Sequence, residues 1–279
     1  MARRHRCEYG LDTGMFSVHQ MHAETALRLA AGTILSGLAK QERGLQDLIE
    51  KHRTAIVVMG TTVEYKRDLS FFSAPSIFTE SSFALRDDGK IITFDTRNYV
   101  GDEEAIAVRI VVRPVQLTGG GALDALPAPV SPAVRALFDP DEIVPNSAMP
   151  SRSLDAEKQW AAAGTGEIDE YSQPLFIGRG DCEFAEQWFF GRLPSIVASA
   201  REQLLFDGAA HLSAGVTKPI STFQAEYFRP MFFGDRGTIE MKCYKQGDRT
   251  VFVHRVHGAP VPGARQSTPP LCALAVETF

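Results

Sequence analysis

The sequence has few cysteines and no long apolar run, and both absences exclude whole classes of protein. Four cysteines occur in 279 residues. They lie far apart without a Cys-x-x-Cys pair, which argues against a disulfide framework or a structural zinc site. Charged residues or prolines interrupt every stretch before the ~18 apolar residues that a membrane span requires. No apolar segment follows the basic residues at the start of the chain. We therefore expect a cytoplasmic protein with reduced thiols and no membrane partner.

A basic surface is also missing. The chain has 29 Lys and Arg against 34 Asp and Glu, a net charge of -5, and no basic cluster beyond its first six residues. Such a chain has no region of positive electrostatic potential that could bind the phosphates of nucleic acid, so we expect no binding to nucleic acid. Its 44% hydrophobic and 23% charged residues are typical of globular proteins, and its length allows about two domains.

Two segments of the chain resemble each other. Residues 63–72 and 225–234 share Glu-Tyr-x-Arg followed by a pair of aromatic residues. Each segment follows an apolar stretch with helical spacing and precedes strand-like sequence with hairpin turns. The predicted helices cover 18–40 and 188–206, the turns 87–89 and 246–248, the hairpin strands 91–97 and 251–256, and the last strands 105–108 and 273–276. The alternative is that the shared motif arose by chance.

The repeat predicts an α+β protein built as a double hot-dog, with two antiparallel sheets that each wrap a long central helix. We expect an N-terminal hot-dog over 1–117 and a C-terminal hot-dog over 172–279. Between them, residues 118–171 are rich in proline and glycine, which indicates a connector that is partly ordered at best. Within it, short helices are expected near 132–138 and 154–163.

Particular segments resemble known hot-dog proteins. Residues 223–235 are similar to a strand of hot-dog thioesterases, and residues 178–183 resemble the aspartate-containing segment before the central helix in the 4-hydroxybenzoyl-CoA thioesterase group. The first half has residues 11–15 at the corresponding place. A narrower resemblance is to tandem hot-dog proteins of polyketide biosynthesis, the group that includes the leinamycin-type acyltransferase/decarboxylase. It is carried by Gly14-Met15, Phe71-Phe-Ser73 and Trp188-Phe-Phe190.

The chain also departs from these patterns. The Gly-His-Val-Asn segment of many hot-dog thioesterases has no copy in either half. Acyl dehydratases of the same fold use a histidine where this chain has Arg192, which weakens a dehydratase interpretation.

The resemblance implies an enzyme that acts on acyl thioesters of coenzyme A or an acyl carrier protein, most simply a thioesterase. Coenzyme A or phosphopantetheine would enter as part of the substrate, with no other cofactor. Three alternatives remain open: a decarboxylase or acyltransferase, a dehydratase, and a non-catalytic acyl-thioester-binding protein. The protein is expected to be a monomer or a homodimer.

Thioester chemistry needs a base and a group that stabilises an oxyanion, and the start of a helix favours both. The candidate catalytic residues are therefore those near the two predicted helix starts: Asp12, His19, His22, Glu24, Asp181 and Glu186. His19 and His22 would share one helical face, but a metal site there lacks a third ligand. The alternatives are helix caps and ordinary surface residues.

Two tyrosine and arginine pairs are candidates for substrate binding. Tyr65 with Arg67, and Tyr227 with Arg229, are expected to alternate along strands, so that each pair points to one face. Such a pair could hold a carboxylate or a pantetheine amide; structural packing is the alternative. The histidines at 254 and 257 are expected to be solvated or hydrogen-bonded residues without a role.

Overall fold

The protein divides into two units. The computed structural model describes residues 3–40, 44–119, 124–146, 153–163, 165–183, 186–207, 218–259 and 269–279, with the backbone alone at 167–170. The first unit comprises Met1–Ser17 and Thr25–Pro150, and the second comprises Val18–Glu24 and Ser151–Phe279.

The first unit contains one five-stranded antiparallel sheet with two short additions. Its strands run in the order β1-β3-β4-β5-β2, β6 pairs with β5, and β7 lies parallel to β3. The elements are β1 (Arg4–Gly10), α1 (Ala23–Lys40), α2 (Leu45–His52), β2 (Thr54–Tyr65), β3 (Ser76–Arg86), β4 (Ile92–Val100), β5 (Glu103–Leu117), β6 (Ala125–Pro127), α3 (Pro132–Arg135) and β7 (Ile143–Val144).

Helix α1 lies close to the face of this sheet. A Cβ atom at Gly37 would come within 2.9 Å of His5 Cβ, so only glycine allows this approach. One turn earlier, the Thr33 and Tyr9 hydroxyls are hydrogen-bonded at 3.0 Å. The sequence places Leu27, Ala30, Ala31, Ile34 and Leu38 on one helical face; all of them are buried except Ala31, which is partly exposed. The helical spacing in the sequence therefore predicted the buried face correctly.

The second unit repeats the same strand order. Its sheet runs β8-β10-β11-β12-β9 and is antiparallel, and α5 packs against β10 and β12. The elements are α4 (Ser153–Ala163), β8 (Thr165–Phe176), α5 (Leu193–Phe206), β9 (Thr222–Tyr227), β10 (Arg236–Gln246), β11 (Arg249–Gly258) and β12 (Leu271–Thr278). Each unit thus runs strand, long helix and four strands, which confirms the predicted repeat and the α+β class.

Both long helices begin later than predicted. Helix α1 starts at Ala23 rather than at 18, and α5 starts at Leu193 rather than at 188. Before α5, Phe190–Arg192 form a single 3-10 turn. Pro194 lies in the first turn of the helix. Backbone N–H groups in this turn have no acceptor within the helix, so no hydrogen bond is lost because proline lacks one.

The predicted connector is more ordered than expected. Both short helices within it are present: α3, where Ser131 caps the helix by accepting a hydrogen bond from the Val134 backbone N–H at 3.2 Å, and α4. Strand β8 also begins inside this segment, at Thr165. The predicted domain limits themselves stay a prediction.

A buried ionic cluster ties α5 to the sheet of the second unit. Glu277 on β12 is fully buried and pairs with Arg201 on α5, whose guanidinium lies 4.9 Å from the Phe279 ring centroid. Burial raises the pKa of Glu277, but the charges and hydrogen bonds of Arg201 and His254 outweigh it and lower the pKa to about 2. The ionised carboxylate can only accept, so Nε2 of His254 is the donor across the 2.9 Å contact. His254 is therefore a hydrogen-bonded core residue.

Candidate active site

A single 3-10 turn presents a cationic side chain at the start of α5. The turn Phe190–Arg192 leads directly into the helix. Tyr227, the last residue of β9, donates its hydroxyl to the Phe190 carbonyl oxygen at 2.8 Å, and the two rings meet edge to face. The end of β9 therefore fixes the turn from which Arg192 projects.

The Arg192 guanidinium lies between two carboxylates. Its Nη1 atom donates to both oxygens of Glu24, at 2.8 and 2.9 Å, and its Nε atom donates to Asp181 at 3.2 Å. The hydrogen bond with Glu24 is the main reason that the pKa of Arg192 is raised. Among the described residues, the third nitrogen, Nη2, has no hydrogen-bond partner. The side chain is 32% exposed, so a ligand can reach it.

Both carboxylates are held by further donors. Glu24 is in the first turn of α1, its side chain is only 11% exposed, and it accepts a short hydrogen bond from the Ser195 hydroxyl. Asp181 closes the 3-10 turn Arg179–Asp181, and its second oxygen accepts from the Gly178 backbone N–H at 3.0 Å. All of these residues belong to the second unit, which includes the first two residues of α1, Ala23 and Glu24.

This arrangement contains the groups that acyl transfer to water requires. A carboxylate held by fixed donors can take a proton from water. A guanidinium N–H without a partner can stabilise the negative charge that develops on a carbonyl oxygen. Within the described parts of the chain, no group of His, Cys, Asp and Glu side chains could hold a metal ion.

The structure brings together two of the predicted catalytic residues, Glu24 and Asp181, through Arg192. Asp12 belongs to the first unit and caps the turn Thr13–Met15, accepting from the Gly14 N–H at 2.8 Å. Glu186 is exposed, with a φ of 57°, and pairs with Arg179 at 3.1 Å.

The predicted pairing of the two histidines on a helical face is wrong. His19 and His22 are both exposed and precede α1, which begins at Ala23. Because neither residue is in the helix, their spacing does not place them on one face.

The strand alternation predicted for the tyrosine and arginine pairs is also wrong. Strand β2 ends at Tyr65 and β9 ends at Tyr227, so both arginines lie beyond the strands. Arg67 pairs with Glu103 on β5. Arg229 is exposed, and its backbone N–H donates to the Cys272 backbone carbonyl oxygen at 3.2 Å. A role of these residues in substrate binding stays a prediction.

Sequence reasoning did not assign a catalytic role to Arg192 or Ser195. One signal was available for Arg192, because a cation at the start of a helix is disfavoured by the helix dipole and therefore implies carboxylate partners. Ser195 is the third residue of α5 and carries no comparable signal in the sequence.

Solved structures match almost the whole chain. A protein from Lactobacillus plantarum described as an oleoyl thioesterase is 9% identical, with a TM-score of 0.71 over 99% of this chain and 96% of that one. An acyl-ACP thioesterase from Bacteroides thetaiotaomicron is 10% identical, and the 12:0-ACP thioesterase from Umbellularia californica is 11% identical. Their TM-scores are 0.67 and 0.69, each over 98% of this chain and 96% of the other. The chain has the double hot-dog fold.

At these identities, the likeness establishes the fold alone. No protein-family model matches the sequence, and no curated protein matches it. The narrower resemblance to polyketide-biosynthesis proteins stays a prediction. Among the described residues, no helix has the length and hydropathy needed to span a membrane.

Proposed function

We propose that this protein hydrolyses acyl thioesters of coenzyme A or an acyl carrier protein, at the start of α5. The observation that carries the proposal is the Arg192 guanidinium. It donates to two carboxylates, and its Nη2 atom has no partner among the described residues, so this atom is available to a ligand. The fold shared with structures described as thioesterases supports the choice of substrate. The predicted place in polyketide or fatty-acid metabolism, and in the cytoplasm, belongs to the same proposal.

The proposed reaction uses each group of the cluster once. The thioester carbonyl oxygen accepts a hydrogen bond from Arg192 Nη2, and Glu24 takes a proton from a water molecule that attacks the carbonyl carbon. The C–S bond then breaks, and the thiolate leaves with the proton that Glu24 had taken. The products are one carboxylic acid and one thiol. Asp181 holds the Nε side of the guanidinium and so acts as a positioning residue.

Thiol and acid release from a panel of thioesters tests this function. We expect purified protein to release thiol and carboxylic acid in equal amounts from at least one of acetyl-, malonyl-, octanoyl- and dodecanoyl-CoA, or from dodecanoyl-acyl carrier protein. Carbon dioxide from malonyl-CoA without free thiol would instead identify a decarboxylase. Binding of these thioesters without turnover would identify a non-catalytic binding protein, and either outcome contradicts hydrolysis.

A further inference from the structure

A basic cleft in the first unit takes no part in the proposed hydrolysis. It has a volume of about 270 Å³ and is lined by three cationic residues, Arg86, Lys90 and Arg113, and by an apolar wall over residues 127–129. Arg86 ends β3, and Lys90 closes the turn before β4. Arg113 lies on β5 next to Val112, which pairs with Ile92 at the start of β4.

The wall of the cleft is fixed by backbone contacts. The Ala128 N–H donates to the Pro114 carbonyl at 3.4 Å, and the Val130 N–H donates to the Gly89 carbonyl at 2.8 Å. Gly89 has a φ of 71°, and a Cβ atom there would lie 3.3 Å from Pro129. The apolar segment therefore packs directly on the turn that carries Lys90, and the shape of the cleft is built into the fold.

Two of the three cationic side chains make no hydrogen bond or ion pair within the described part of the chain. Arg86 makes two hydrogen bonds to Asp88, at 2.9 and 2.7 Å, so this pair is neutral. Lys90 and Arg113 are exposed, and neither side chain has a hydrogen bond or ion pair among the described residues. With Asp88 already paired to Arg86, the four residues Arg86, Asp88, Lys90 and Arg113 together carry a net charge of +2.

The repeat preserves only one of the two unpaired cations. In the second unit, Val251 and Thr278 occupy the places that Ile92 and Val112 occupy in the first. The position equivalent to Arg113 is therefore Phe279, one residue after β12. The equivalent of Lys90 is Arg249, which follows the β10–β11 turn and is likewise exposed.

We propose that this cleft binds a nucleoside diphosphate group. Its two unpaired cations match the charge of a diphosphate, and an arginine guanidinium suits phosphate oxygens. The wall of Pro127, Ala128 and Pro129 offers an apolar surface for a base ring. The group occurs in free nucleotides and in coenzyme A, and the site does not depend on the proposed hydrolysis.

Isothermal titration with ADP, coenzyme A and pyrophosphate tests the proposal. We expect ADP to bind at least tenfold more tightly than pyrophosphate, because the ring contacts the wall. The double variant Lys90→Gln/Arg113→Gln should weaken ADP binding at least tenfold, whereas Arg249→Gln, which removes the equivalent cation of the second unit, should change it by less than twofold. Coenzyme A binding more tightly than ADP would identify the coenzyme as the ligand, and the reverse would identify a free nucleotide.

Three results would overturn this site. The first is that ADP does not bind at 1 mM. The second is that ADP and pyrophosphate bind with equal affinity. The third is that the double variant and Arg249→Gln lose the same amount of affinity for ADP. Because all three substituted side chains are exposed and unpaired within the described structure, circular dichroism melting curves should coincide with that of the wild type.

Discussion

Replacing Glu24 with glutamine is expected to lower kcat/KM for the preferred acyl-CoA of the panel by about 10²- to 10⁴-fold. Glutamine keeps the size of the side chain and one acceptor oxygen towards Arg192, but it cannot take a proton from water. The loss should be in kcat, because the Nη2 atom that would bind the carbonyl oxygen remains in the variant. Thiol release measured over a range of substrate concentrations separates kcat from KM.

Asp155→Asn is the matched control for this variant. Asp155 is also a carboxylate in the first turn of a helix, α4, but it is exposed and has no side-chain partner among the described residues. Both substitutions remove one negative charge from the start of a helix, so the control accounts for the helix dipole. We expect Asp155→Asn to keep wild-type kcat/KM. Equal losses in both variants, or a Glu24→Gln enzyme with more than half of the wild-type rate, would contradict a base at Glu24.

Replacing Glu277 with glutamine is expected to lower the free energy of unfolding by about 3–5 kcal/mol. The substitution leaves the buried Arg201 guanidinium without its carboxylate, at a position where its side chain is only 6% exposed. Urea unfolding of wild type and variant measures the difference. Glu64→Gln on β2 is the control, because Glu64 pairs with Lys66 while about half exposed. The loss there should not exceed ~1 kcal/mol, and a loss of that size at Glu277 would contradict a role for the buried cluster in stability.

The same carboxylate gives the wild type a defined dependence on pH. The pKa of Glu277 is lowered from 4.5 to about 2 in the folded protein. A lowered pKa stabilises the fold above the unfolded value, and this contribution, about 3 kcal/mol, is lost as pH falls from 4.5 towards 2. Wild-type stability should therefore fall more steeply than that of Glu277→Gln over this range. Parallel curves would show that Glu277 is not held ionised by its neighbours.

Local patterns in the sequence predicted the repeat, because its signals are short-range. The turns at 87–89 and 246–248 each lie between paired strands, and Gly89 and Gly247 have the positive φ values that such turns favour. Helical spacing also identified the buried side of α1, since the residues that share it lie three or four positions apart.

The site depended on contacts that no local pattern contains. Glu24 and Arg192 are 168 residues apart in the chain, and their pairing follows from the fold of the second unit rather than from either segment alone. The error at the end of β9 has a different, local cause. The Glu-Tyr-x-Arg motif recurs correctly, but Pro230 cannot donate to a sheet, and β9 ends before it.

Substitution of Arg192 by lysine tests the central claim most directly. Lysine keeps the positive charge, but it lacks the planar guanidinium whose fixed N–H donors can bind two carboxylates and a carbonyl oxygen together. We predict that wild-type protein releases thiol and carboxylic acid in equal amounts from an acyl-CoA, and that Arg192→Lys does so at least ~10²-fold more slowly, with kcat reduced and the melting temperature nearly unchanged. An Arg192→Lys enzyme as fast as the wild type, or a wild type that releases no thiol from any acyl thioester, would contradict the account.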